Sequence, residues 1–223
     1  MRVAAGPRKT TVWALPAYRY LLGSEAVTLA GSGVSTVALP ALAVLELRAT
    51  IGQVATPAFL GQLPSTLALW GGALSDRHAK RYQLLVSDLV AAAVLTTIPA
   101  AALAGVLTIG QLYGVTLAVG AAKVVRDAAA ISLLPAIVAP HLLHHANSRL
   151  GAASSVADSA GSNVGAALVG AVGAARSLLV DAGSFLASAW LVWRIRAPAP
   201  HVSPVGAEKS RASSGTSPPA CAT

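Results

Sequence analysis

Charge is scarce in this chain. Acidic and basic residues together make up 11% of it. That is less than half of the roughly 25% usual for a soluble domain, so a water-facing globular surface could not be covered with charge. Aromatic residues are also scarce, at 4%, and no aromatic-lined drug pocket is evident. The one cysteine, Cys221, lies in the C-terminal tail, which excludes an internal disulfide and a cysteine-based zinc site. Acids are outnumbered by bases, and the net charge is +8. A basic balance can serve nucleic acid. Here the bases sit in short clusters between apolar runs, a pattern that orients a chain in a membrane, so no nucleic-acid partner is expected.

Apolar residues are abundant, at 55%, with a mean hydropathy of +0.66. They fall into six segments near the ~20 residues that span a bilayer, at about 20–47, 53–74, 83–107, 109–134, 150–174 and 177–193. The runs are too long for strands and do not alternate, and lipid leaves strand edges unpaired. The expectation is an all-α membrane protein, a bundle of six transmembrane helices. Pro40, Pro64 and Pro99 lie inside these segments, as membrane helices tolerate. The first apolar run exceeds the 7–15 residues of a signal-peptide core and reads as a retained helix.

With the N-terminus inside the cell, the inner segments hold Arg2, Arg8, Lys9, Arg19, Arg77, Lys80, Arg81, Arg149, Arg194, Arg196, Lys209 and Arg211. The outer segments hold only Arg48 and Arg176. This asymmetry predicts a multi-pass plasma-membrane protein with both termini cytoplasmic. Residues 1–19 then form a cytoplasmic segment, 20–196 the transmembrane domain, and 197–223, rich in Pro, Ser, Ala and Gly, a disordered cytoplasmic tail.

Three stretches carry a family likeness. Gly72-Ala73-Leu74-Ser75-Asp76-Arg77-His78-Ala79-Lys80-Arg81 lies between the second and third segments. It resembles the loop signature of the major facilitator superfamily, with Ala79 in place of the usual second glycine. The run 29–40 in the first segment and Ala146-Asn147-Ser148-Arg149-Leu150 at the fifth resemble the branch of siderophore and macrolide exporters. The likeness covers residues 18–196. It departs from exporters at Gly161-Ser162-Asn163-Val164-Gly165-Ala166, which lacks their proline and last glycine. The resemblance implies an efflux transporter of small molecules working by alternating access, proton-coupled, with this chain as the N-terminal six-helix half of a twelve-helix fold. It implies no cofactor and no enzymatic activity. The second bundle would come from a homodimer or from a separately encoded second half. The alternative is a truncated, transport-inactive membrane protein or an accessory subunit.

By the same resemblance, Gly72, Asp76, Arg77, Lys80 and Arg81 form a gating loop. Asp76 latches one half against the other, and Asp127 pairs with the loop arginines. An anion such as Asp76 is also favoured at a helix N-terminus. Charges within the spans cost about 2.5–3.5 kcal/mol each at mid-membrane, so they pair or line a wet cavity. Glu25 lies about 10 Å from the cytoplasmic edge at 1.5 Å per residue, and Lys123 and Arg126 lie at comparable depth. Helices one and four line the superfamily's central cavity, so Glu25 is expected to face Lys123 or Arg126 and couple proton or substrate binding, against the plainer reading of a static ion pair. Asp158 and Asp88 are weaker candidates, Asp158 as a deep proton site or packing partner and Asp88 as a brace at the cytoplasmic end. Asp181 lies nearer the outer face. Ala153, Ala157, Gly161 and Gly165 put small residues on one helix face, where helices approach closely. His141, His144 and His145 have helical spacing in a loop beside Pro140, but no cysteine or second carboxylate accompanies them, so no metal is expected. Gly31-Ser32-Gly33 lacks the Lys-Ser/Thr of a phosphate loop, and no nucleophile–base motif argues for catalysis.

Overall fold

The computed structural model describes residues 15–68 and 80–195. The expectations for the gating-loop residues Gly72, Asp76 and Arg77, and for the two terminal segments beyond these limits, lie outside the described residues. Within them are six α-helices: α1 Pro16–Leu45, α2 Ile51–Ala68, α3 Lys80–Leu103, α4 Ile109–Ile137, α5 Leu143–Val172 and α6 Ala174–Arg194. A single 3-10 turn, Pro140–Leu142, precedes α5. By length and composition, α1, α3 and α6 can each cross a membrane. Helix α4 is as long but carries Lys123, Arg126 and Asp127 within its span, and α5 is rich in Ser and Gly.

Helix α5 begins seven residues before the expected start at 150, so His144 and His145 sit in its first turn rather than in a loop. Hydropathy marks where hydrocarbon begins, not where a helix does, and a polar turn can extend a helix beyond the lipid. The passage from α5 to α6 takes one residue, Gly173, at φ +90°. This backbone region is open to glycine and strained for other residues, and it lets two helices meet without a loop.

The helices pack in the order α5, α1, α6, α3, α4, α2, each mainly on its neighbours. At one end, the Tyr18 hydroxyl of α1 donates to the Ala146 carbonyl of α5 (3.1 Å). There too, Arg81 at the start of α3 donates to the Val192 and Trp193 carbonyls at the end of α6 (3.3 and 2.5 Å). Lys80 donates to the Ser132 carbonyl in the last turns of α4 (3.2 Å). Cations thus meet the closing turns of two helices, where the macrodipole is negative. These contacts bring the beginnings of α1, α3 and α5 to the same end as the closing turns of α4 and α6.

Two apolar clusters fill the interior. One, including Tyr18, Leu21, Leu84, Leu133 and Val192, occupies the Tyr18 end. The other, including Leu42, Leu95, Leu112, Leu178 and Phe185, occupies the opposite end. Close helix approach depends on glycine at particular crossings. A Cβ on Gly161 of α5 would fall on the Ala30 carbonyl oxygen of α1, and one on Gly165 would lie 2.7 Å from Val34 Cα. Gly33 answers from α1, where a Cβ would lie 2.8 Å from the Gly161 carbonyl carbon. Gly120 and Gly61 repeat the device between α4 and α2.

Enlarging Gly161 to leucine is therefore expected to lower unfolding stability in detergent by about 1–3 kcal/mol or more, the usual range for overpacking. Gly170→Ala, whose Cβ meets nothing within 4 Å, should not lower the unfolding midpoint, since alanine is the better helix former.

Candidate functional site

Between the two apolar clusters lies a buried polar layer built on Arg126 of α4, which is 2% exposed. Its Nε donates to Asp88 Oδ1 of α3 at 2.7 Å. One Nη donates to Glu25 Oε1 of α1 at 2.8 Å, and the other to Ser188 Oγ of α6 at 3.2 Å. Ser188 in turn donates to Asp88 Oδ2 at 2.6 Å. A planar guanidinium offers donors in a fixed fork, and here the fork spans four helices. Helices α3, α4 and α6 each place the polar residue about one turn from apolar members of both clusters: Leu84, Asp88, Ala91 on α3, Ala122, Arg126, Ala129 on α4 and Phe185, Ser188, Val192 on α6. Glu25 pairs with Arg126, and Asp88, expected only as a brace, shares the same guanidinium.

A cavity of about 430 Å³ opens beside this layer, walled by α1, α2 and α4. Lys123 and Asp127, one turn apart on α4, line it. Neither makes a hydrogen bond or ion pair among the described residues. Asp127 was expected to pair with the loop arginines. Arg81 is engaged with the end of α6, and Arg77 is outside the described residues. Asp181 of α6 also reaches the cavity wall, where it accepts hydrogen bonds from Ser35 of α1 and, at 3.2 Å, from Ser184. The other lining groups include Ser32, Thr36, Gln62 and Thr116, and among the described residues no aromatic ring. Pro57 of α2 lies on this wall and cannot donate to the Gln53 carbonyl four residues back. The Tyr113 hydroxyl of α4 donates to that carbonyl instead (3.2 Å).

The described residues thus carry a helical bundle, a buried ion-pair layer and a polar cavity. The family described as transmembrane secretion effector matches residues 12–212. The chain belongs to this family, within the major facilitator superfamily. No curated protein and no solved structure matches it. As a secretion effector of this superfamily, it is a multi-pass membrane transporter and not an enzyme.

In this secretion effector, Glu25, Asp88 and Arg126 converge, while Lys123 and Asp127 stand one turn away at the cavity. Asp158 joins neither group. It lies exposed on α5, beside exposed Ser155, Ser159 and Asn163. Gly161 and Gly165 of the same helix are buried against α1. Sequence reasoning passed over Ser35, Ser184 and Ser188. A signal was present: Ser177, Asp181, Ser184 and Ser188 recur at spacings of four, three and four along α6, and all are buried.

Replacing Arg126 with glutamine strands two buried carboxylates, and breaking a buried pair costs about 3–5 kcal/mol. The Arg126→Gln variant should lose most of its yield of monodisperse protein. Arg126→Lys should fall between it and wild type in unfolding midpoint, because an ammonium cannot match the fork.

Proposed function

We propose that this secretion effector exports small molecules across the plasma membrane by alternating access, driven by proton entry, with both termini in the cytoplasm. The observation that carries the reading is two buried carboxylates, Glu25 and Asp88, on one guanidinium beside an open polar cavity. With both acids ionised, the set holds one negative charge more than positive. A single proton balances it, and burial makes that imbalance costly. Glu25, at the α1 side of the layer, is the coupling acid, and Lys123, Asp127 and Asp181 face the transported molecule. Asp76 serves as the latch of the gating loop. The six helices form six transmembrane spans, and α5 meets a second bundle, supplied by another copy or by a separate chain. The exposed Ser155, Asp158, Ser159 and Asn163 support this, since polar groups facing lipid are costly.

Transport into inverted membrane vesicles, screened over a panel of solutes, tests the coupling. A pH gradient should drive uptake, a protonophore should abolish it, and Glu25→Gln should slow it at least tenfold with the protein still folded. Undiminished transport by the Glu25→Gln variant contradicts the role. The second bundle is tested by crosslinking Ser159→Cys or Asn163→Cys in native membranes, with Cys221→Ser as background. A specific adduct, with another copy or with a second chain, is expected. A strictly monomeric chain contradicts it.

A further inference from the structure

We infer that the cavity between α1, α2 and α4 takes a compact zwitterion, of the size and charge of an amino acid or a dipeptide. This rests on the reading of that cavity as the transport site and names the class of molecule it accepts.

The cavity presents both signs of charge from a single helix. Lys123 and Asp127 stand at i and i+4 on α4, so their Cβ atoms are about 5–6 Å apart. A pair so spaced can close into a salt bridge on a helix surface, yet no such bridge forms here. Lys123 is partly buried and Asp127 exposed to the cavity, so an ammonium and a carboxylate are both available to a ligand. A ligand carrying one charge would satisfy one of these groups and leave the other desolvated beside it. A zwitterion with closely spaced termini satisfies both, its carboxylate on Lys123 and its ammonium on Asp127. Asp181 is a lesser contact because Ser35 and Ser184 already occupy its oxygens.

The rest of the lining points the same way. The Ser32 hydroxyl and the Gln62 amide offer donors and acceptors to a polar backbone or side chain, and the Thr36 and Thr116 hydroxyls, which donate to the Ser32 and Leu112 carbonyls, offer acceptors. Among the described residues no aromatic ring lines the wall, so the stacking and cation–π contacts by which planar lipophilic cations are held are not offered by them. A volume of about 430 Å³ lies near the lower end of small-molecule sites and suits a compact solute.

The test is equilibrium dialysis of radiolabelled L-seryl-L-serine against the full chain in detergent micelles. Competitors are its N-acetylated form, its C-amidated form and tetraphenylphosphonium. Each blocked dipeptide should compete at least tenfold more weakly than the free one. Lys123→Gln should erase the distinction between free and amidated carboxyl termini, and Asp127→Asn that between free and acetylated amines. The inference is overturned if the blocked forms compete equally with the free dipeptide in wild type. It is also overturned if the charge substitutions leave the preferences intact. Binding of tetraphenylphosphonium but not of the dipeptide, lost on filling the cavity with Thr36→Trp, overturns the zwitterion while keeping the cavity as the transport site. Binding of neither probe overturns the inference together with that assignment of the cavity.

Discussion

Arg126 places a guanidinium among four helices, and its three nitrogens each find an acceptor on a different side chain: Asp88, Glu25 and Ser188. In a medium that cannot hydrate a charge, such a group has to be paired and hydrogen-bonded by the protein itself. Satisfying it fixes the rotation of α1, α3, α4 and α6 about their axes, because each must turn one residue toward the same point. The apolar clusters on either side then follow from the helical repeat, with Leu84 and Val192 facing one way and Leu95 and Phe185 the other.

The same constraint shapes the cavity. Helix α4 turns Arg126 inward, which leaves Lys123 and Asp127 directed to the side where α1 has little contact with α2 and α4. On the far side, α5 is drawn close to α1 through Gly33, Gly161 and Gly165, so space is removed there and retained between α1, α2 and α4. Tyr113 completes the α2 backbone where Pro57 interrupts it, which keeps that wall intact without filling the opening. A packed side, an ion-pair layer and an open side thus arise from a few residues.

Much of this was legible in the sequence, for physical reasons. Apolar runs reveal helices because lipid forbids exposed backbone, and six helices lie where six runs were read. Their ends were less legible: α5 starts at Leu143 because a polar turn of His144, His145 and Asn147 is as good a helix outside hydrocarbon as inside it. Charges within spans pointed to Glu25, Asp88 and Arg126 because each is too costly to leave alone. The choice between Lys123 and Arg126 as the partner of Glu25 was beyond sequence, since one helical turn separates them and only packing decides which turns inward. Ser188 and Ser35 were missed because serine is common in membrane helices, and only its recurrence with Asp181 along α6 marks a buried stripe. Asp158 was read as deep in a helix, and its exposure on α5 depends on which face α1 covers.

If one guanidinium holds the bundle through two acids, those acids must be redundant singly and essential together. A double-mutant cycle on unfolding free energy in mixed micelles, with Glu25→Gln, Asp88→Asn and their combination, measures this directly. Each single change leaves Arg126 one carboxylate and should cost little. The double change strands the cation, and its cost should exceed the sum of the singles by about 1–3 kcal/mol, within the range seen for coupled neighbours. Additive costs would show that Glu25 and Asp88 do not share Arg126, and would contradict the account.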